Sequence, residues 1–203
     1  MDWVDVVRTL QRIAQAGLAY SEGVYDRHRY AELLELAGKI GDASLGGPIG
    51  KMEEAFATEK GYPTPKLDVR AVVPRGKEIL FVRETADGLW SLPGGWADIG
   101  STPSEMVARE VFEESGYIVA PKKLLALLDK SKHEHPREYH WVYKVFCLCE
   151  LKGGEPTTSH ETHEAAFFGR DGVPPLSLPR VTPGQIALMF AHLDDPDRPT
   201  DFD

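Results

Sequence analysis

Three glutamates, Glu110, Glu113 and Glu114, follow Arg109 in the stretch LPGGWADIGSTPSEMVAREVFEESGY, and a glycine pair, Gly94 and Gly95, stands just upstream. Residues three and four apart share one face of a helix, so Glu110 lies beside both Glu113 and Glu114. Like charges at that spacing destabilise a bare helix by about 0.2–0.5 kcal/mol per pair. They also fall in the C-terminal half, where the helix dipole disfavours anions. A hard divalent cation resolves the conflict. Mg²⁺ takes a few carboxylate oxygens and keeps open positions for phosphate or water. The plainer alternative is a solvated acidic face, partly neutralised by Arg109. The glycine pair favours the first reading, because it allows a sharp bend and a close backbone approach to a ligand or metal.

The helix bearing these acids is predicted over 103–115. Thr102 is its cap, Pro103 its first residue and Gly116 its stop, where a left-handed residue is wanted. Val107, Val111 and Phe112 are placed to pack on a sheet. Before it, Leu67, Val69, Ala71 and Val73 alternate with mostly polar neighbours, which is strand spacing. Further strands are expected at 78–83 and 90–92. After it, 118–120 and 124–129 are extended candidates, 139–151 is a long strand and 165–168 another. Thr182 and Pro183 open a last helix carrying Ile186, Met189, Phe190 and Leu193.

The N-terminal third has a different period. Apolar residues from Trp3 to Gly17 recur at helical spacing. A second helix is expected over 26–40, with Asp26 as N-cap and Gly41 as stop. A third, over 48–58, sets Ile49, Met52 and Phe56 on one side. Two prolines and a glycine in 60–65 break the pattern. The expected organisation is a helical domain over 1–62 and an α/β sandwich with a mixed sheet over 66–203.

Composition narrows the function. The chain has 203 residues, 42% of them hydrophobic, enough for a core. Its net charge of −9 disfavours strong nucleic-acid binding. No apolar run approaches the roughly 18 residues of a membrane helix. The charged N-terminus is unlike a signal peptide, so a cytoplasmic protein is expected. Cys147 and Cys149 share one face of a strand and read as buried small hydrophobes rather than metal or redox groups. His133, His135 and His140, near Glu134, read as a solvated loop.

Counted along the chain, the segment resembles the signature of the Nudix hydrolases: a glycine, five residues, a glutamate, seven residues, then Arg-Glu-U-x-Glu-Glu-x-Gly-U, where U is aliphatic or aromatic. Gly95, Arg109, Glu110, Val111, Glu113, Glu114, Gly116 and Tyr117 fall in register. Ser101 stands where the signature has its first glutamate. The resemblance implies a loop–helix–loop metal site for nucleoside diphosphates linked to another group. Glu110, Glu113 and Glu114 would hold Mg²⁺, or Mn²⁺ in its place, and Gly95 would lend a carbonyl. Arg109 would orient the carboxylates. The general base stays open between a helix glutamate, Glu110 or Glu114, and a later loop acid, Glu164 first and Glu161 second. Ser101 removes one carboxylate that could have bound metal or oriented the arginine.

The words IAQAGLAYS, YDRHRYAELLELA, LPGGWADIG, LLALLDKSKH and PPLSLPRVTPGQIALMF look like the branch of that family that includes CDP-choline pyrophosphatase. That branch implies cleavage of CDP-choline to CMP and phosphocholine, and a homodimer formed through the N-terminal helices. ADP-ribose or another sugar nucleotide, RNA end-processing, and a non-catalytic ligand sensor are the alternatives. Aromatic faces suit bases and a quaternary ammonium. Trp96 and Tyr143 are therefore candidate substrate contacts, with Trp90, Tyr139 and Trp141 also flanking the segment. Arg83 and Glu84, closing the second strand, are candidate phosphate or base contacts.

Overall fold

The apolar stripe at the N-terminus forms helix α1, Trp3–Tyr20, capped by Asp2, whose side chain accepts from Val4 N at 3.0 Å. Helices α2 (Val24–Ser44) and α3 (Lys51–Thr58) follow. The computed structural model describes residues 2–44 and 51–203, so Pro48, Ile49 and Gly50 of the expected third helix lie outside the described residues. Val7, Ala37, Met52 and Phe56 form the core of these helices, with Tyr139 packed against it. Two expectations change here. Asp26 lies in the first turn of α2 and not at its cap. Gly41 does not stop α2 but lets neighbours close in: a Cβ there would stand 2.9 Å from Met52 Cε and 3.4 Å from Val7 Cγ1. Asp42 Oδ1 accepts from Met52 N at 2.9 Å and so satisfies a free amide at the start of α3.

The chain divides into two compact units. One is the chain up to Pro65 together with Arg137–His140, and the other is Lys66–Pro136 with Trp141–Asp203. Tyr139 and His140 belong to the helical unit, so the long strand begins at Val142 rather than at Tyr139. The tie is partly polar: buried Arg8 donates to Tyr139 O at 3.3 Å and His140 O at 2.8 Å.

The second unit holds strands β1 (Lys66–Val72), β2 (Pro74–Arg75), β3 (Glu78–Glu84) and β4 (Trp90–Ser91), helix α4 (Pro103–Ser115), strands β5 (Tyr117–Asp129), β6 (Val142–Gly154) and β7 (Thr162–Gly169), helix α5 (Pro183–Asp194) and strand β8 (Asp201–Phe202). One sheet is mixed, in the order β1-β6-β5-β8, with β1 and β6 parallel. The other sets β3 between β4 and β7, both antiparallel to it, with β2 also on β3. The two extended pieces expected at 118–120 and 124–129 are one strand, β5, whose register against β6 shifts at three places. Those shifts break the two-residue alternation that marks a strand in sequence.

Strand alternation places the helices. Val69, Ala71, Val145 and Cys147 pack with Met106, Val107 and Val111 of α4. Val72 and Phe146, pointing the other way, pack with Ile186, Met189 and Phe190 of α5. Both faces of β1 are therefore covered, and its polar residues Asp68 and Arg70 are buried rather than solvated. Both helices begin in a capping box, Thr102 with Glu105 and Thr182 with Gln185, each followed by proline. Gly116 ends α4 at φ 74°, where a Cβ would meet Glu155 O at 2.4 Å.

Candidate functional site

The glycine turn is fastened along β1. Ala71 N donates to Pro93 O at 2.8 Å, Val69 N to Gly95 O at 2.9 Å and Ala97 N to Leu67 O at 2.9 Å. Gly94 adopts φ 140°, and a Cβ there would lie 2.0 Å from Val69 O, so only glycine allows the approach. The Gly95 carbonyl spends one lone pair on Val69 and keeps the other.

Two of the three helix acids converge on this turn. Buried Glu114 accepts from Gly94 N at 2.8 Å. A Cβ on Gly95 would stand 3.1 Å from Glu110 Oε2. Glu113 is exposed beside them. Burial pushes the Glu114 carboxyl up to about 8; Arg70 and the Gly94 amide pull it down, while Glu84 and Glu110 push it higher. Glu110 is also raised, by burial and then Glu113, with Arg109 and Arg70 in opposition.

Beneath the turn lies a charge network that sequence reading missed. Arg70 makes a two-pronged ion pair with Asp68, at 2.8 and 3.0 Å, and Lys144 Nζ reaches Asp68 Oδ1 at 2.8 Å. Arg70 also donates to Leu92 O at 3.0 Å and Ser91 Oγ at 3.2 Å, holding the entry to the turn. Although burial alone would raise it, the Asp68 carboxyl is held well below the usual range by Arg70 and Lys144. Burial pulls Lys144 down to about 8, against the attraction of Asp68. The available signal was three charged residues inside otherwise apolar strand segments, LDVRAVV and VYKVFCLC.

The loop acids separate. Thr162 Oγ1 donates to Glu114 O at 2.6 Å, and Thr85 N to Glu161 O at 2.8 Å, which pins the start of β7 to the end of α4 and of β3. The charge of Glu161 bears on both Glu110 and Glu84. Glu164 lies on β7 opposite Arg83, its carboxylate 3.8 Å from that guanidinium. Arg83 also donates to Gly88 O at 2.9 Å. Glu84 is buried, and burial raises its carboxyl against the pull of Arg180 and Arg70. Arg180 Nε lies 2.9 Å from Glu84 Oε1, an ion-pair distance without hydrogen-bond alignment.

Arg109 does not hydrogen-bond to the helix acids. It donates to Asp98 Oδ2 at 2.6 Å, to Met106 Sδ at 2.8 Å and to Ser101 Oγ at 3.5 Å. Trp96, next to Gly95, is 50% exposed. Trp90 is buried in the α5 core. Tyr143 opens onto a separate cavity of about 270 Å³, shared with Leu127, Asp129, Lys132, Phe202 and Asp203. His133 meets Asp203 at 3.1 Å, and His135 meets Leu178 O at 2.6 Å. Both cysteines are buried thiols.

A divalent cation suits this donor set. Glu110 and Glu114 present hard oxygens to one turn, and each is raised by burial and by a neighbouring acid. Among the described residues, no three His, Cys, Asp or Glu side chains already form a cage. Glu110, Glu113 and Glu114 would hold the ion at the turn.

Residues 64–189 match the model of the NUDIX domain. The chain is a Nudix hydrolase. Residues 1–56 match a second model, the UDP-X-like N-terminal oligomerisation domain of Nudix proteins. The Bacillus subtilis protein YjhB, provisionally named an ADP-ribose pyrophosphatase, is 47% identical over 201 residues, covering 99% of this Nudix hydrolase and 97% of YjhB. A Streptococcus suis ADP-ribose pyrophosphatase structure is 44% identical with a TM-score of 0.64, covering 69% of this chain and all of that one. A UDP-X diphosphatase structure is 29% identical, with a TM-score of 0.65 and both chains fully covered. The Nudix fold is thus shared with these relatives, and the similarity to YjhB and to the UDP-X diphosphatase structure extends over the helical N-terminal region as well. The family acts on nucleoside diphosphate-linked substrates with divalent cations. No helix among the described residues is long and apolar enough to cross a membrane.

Proposed function

We propose that this Nudix hydrolase splits the diphosphate of a nucleoside diphosphate joined to a sugar, with ADP-ribose as its substrate and Mg²⁺ or Mn²⁺ as its cation. The observation that carries the reading is the convergence of Glu110 and Glu114 on the Gly94–Gly95 turn. The whole-length similarity to YjhB supports the adenosine sugar nucleotide over CDP-choline, the substrate expected from the sequence resemblance.

A bound divalent cation would neutralise diphosphate charge and acidify a water. Glu110, Glu113 and Glu114 are assigned to hold it, with Gly95 O as a further oxygen donor. Hydrolysis forms a bond from the water oxygen to one phosphorus and breaks the bridging P–O bond. The bridging electron pair leaves with the other phosphate. We assign Glu161 to take the water's proton, because its neighbour Thr162 is bonded to Glu114 O at the end of the acid-bearing helix while Glu164 faces Arg83. Trp96, half-exposed beside the turn, is assigned to stack on the base. Arg83 and Tyr143 are weaker candidates, since Arg83 is engaged by Gly88 and Glu164 and Tyr143 opens onto its own cavity.

A panel of ADP-ribose, UDP-sugars, CDP-choline, nucleoside triphosphates and short RNA, each with Mg²⁺, tests this. ADP-ribose is expected to turn over fastest, giving AMP and ribose 5-phosphate. Faster release of CMP and phosphocholine from CDP-choline would restore the earlier substrate, and no release from any nucleoside diphosphate compound would sink the enzymatic reading.

The helical unit is proposed to form a homodimer. Trp3, Ile13, Tyr20, Val24, Tyr25 and Leu36 leave apolar surface exposed on α1 and α2, and this segment matches an oligomerisation domain. Sedimentation is expected to give twice the mass of one chain, and to fall to one when Tyr20 and Tyr25 are both changed to Glu. A wild-type monomer at micromolar concentration would refute it.

A further inference from the structure

We propose that Asp98 is a positioning residue that replaces the carboxylate missing at Ser101, holding Arg109 from the glycine loop and keeping its guanidinium off the metal-binding glutamates. The inference rests on the proposed hydrolase site. Ser101 occupies the place of the signature's first glutamate, and its hydroxyl carries no charge to hold an arginine. The charge has moved three residues upstream. Arg109 spans both positions, with Nη2 2.6 Å from Asp98 Oδ2 and Nη1 3.5 Å from Ser101 Oγ.

The backbone around Asp98 is built to present it. Ala97 N is bonded to Leu67 O at 2.9 Å on β1, and Asp98 N donates to Met106 Sδ at 3.4 Å on α4. Asp98 thus stands between the strand to which the glycine turn is fastened and the helix carrying the acids. Arg109 immediately precedes Glu110.

Without Asp98, the carboxylates one helical turn from Arg109 are Glu105 and Glu113. Glu105 is committed to the capping box, where its Oε2 accepts from Thr102 N and Oγ1, both at 2.8 Å. Glu113 is the one left. An Arg109–Glu113 pair would take up a carboxylate assigned to the cation. The Asp98–Arg109 pair is largely solvated, with side chains 68% and 39% exposed, and such pairs add little to folding stability. Its loss should therefore appear in metal binding and turnover and leave the thermal midpoint in place.

The test compares wild type, Asp98→Asn and Asp98→Asn/Ser101→Glu. Mn²⁺ affinity is measured by electron paramagnetic resonance without substrate, ADP-ribose hydrolysis against Mg²⁺ concentration, and thermal midpoint as a check on folding. Asp98→Asn is expected to weaken Mn²⁺ binding and kcat/KM by about 10- to 100-fold, as loss of groups that orient metal ligands does. Returning the carboxylate at Ser101→Glu should recover most of both, with all three midpoints alike. Unchanged Mn²⁺ affinity in Asp98→Asn, or a loss that Ser101→Glu does not repair, overturns the proposal. If no sugar nucleotide is hydrolysed even by wild type, the substrate reading fails, while the Mn²⁺ loss and its rescue still decide the role of Asp98.

Discussion

Glu110→Gln is expected to lower turnover of the best substrate in the panel by about 100- to 1,000-fold without loosening the fold. The change keeps the size of the side chain and one oxygen and removes the charge. That charge lies against Gly95 and beside Glu113 and Glu114, in a half-buried position where burial already disfavours it. A carboxylate lost from the cation's ligand set weakens the cation's neutralisation of charge developing on the diphosphate, and one electrostatic contribution of that kind is worth about that factor. Removing one member of a like-charged set relieves repulsion, so the thermal midpoint should hold or rise. Steady-state rates at saturating Mg²⁺, read beside a melting curve, check both. A rate within threefold of wild type would remove Glu110 from the site.

Asp68→Asn should produce a large loss of stability. Asp68 accepts from both Arg70 and Lys144, and all three are buried. The amide cannot neutralise either cation, so two buried positive charges lose their partner. Breaking a buried pair in this way costs about 3–5 kcal/mol. For a chain of this length that corresponds to a fall in thermal midpoint of roughly 10 °C. Lys144→Met should cost less, because it leaves the Asp68–Arg70 pair whole. Activity should fall with Asp68→Asn as well, since Arg70 also holds Leu92 O at the entry to the glycine turn. Comparing the two melting curves decides the matter: an Asp68→Asn midpoint equal to wild type would show that the network does not stabilise the fold.

Both results depend on parts of the molecule that the sequence disclosed unequally. The α4 helix was readable to the residue. Thr102, Pro103 and Gly116 act within one helical turn of its ends, and the acids share a face through a fixed 3.6-residue period. The spacing from Gly95 to Tyr117 was readable as a resemblance to a known signature, and the family it pointed to is the one whose domain model matches residues 64–189. Gly41 misled, because a glycine that ends a helix and one that admits a neighbouring methionine look alike in a local window.

What only the tertiary structure decided was which distant charges meet. Asp68 and Lys144 are 76 residues apart, and they meet because β1 and β6 pair in parallel with Asp68 opposite Lys144. Glu164 faces Arg83, and Glu161 sits at the loop beside the end of α4, because Thr162 bonds to Glu114 O and β7 takes its register from β3. Arg109 turns to Asp98 because the glycine loop is fastened to β1. Caps, turns and periodicity act through neighbours in the chain and so are written locally. Strand register and burial arise from segments that find each other only on folding, and these set the partner and the protonation of each charge at the site.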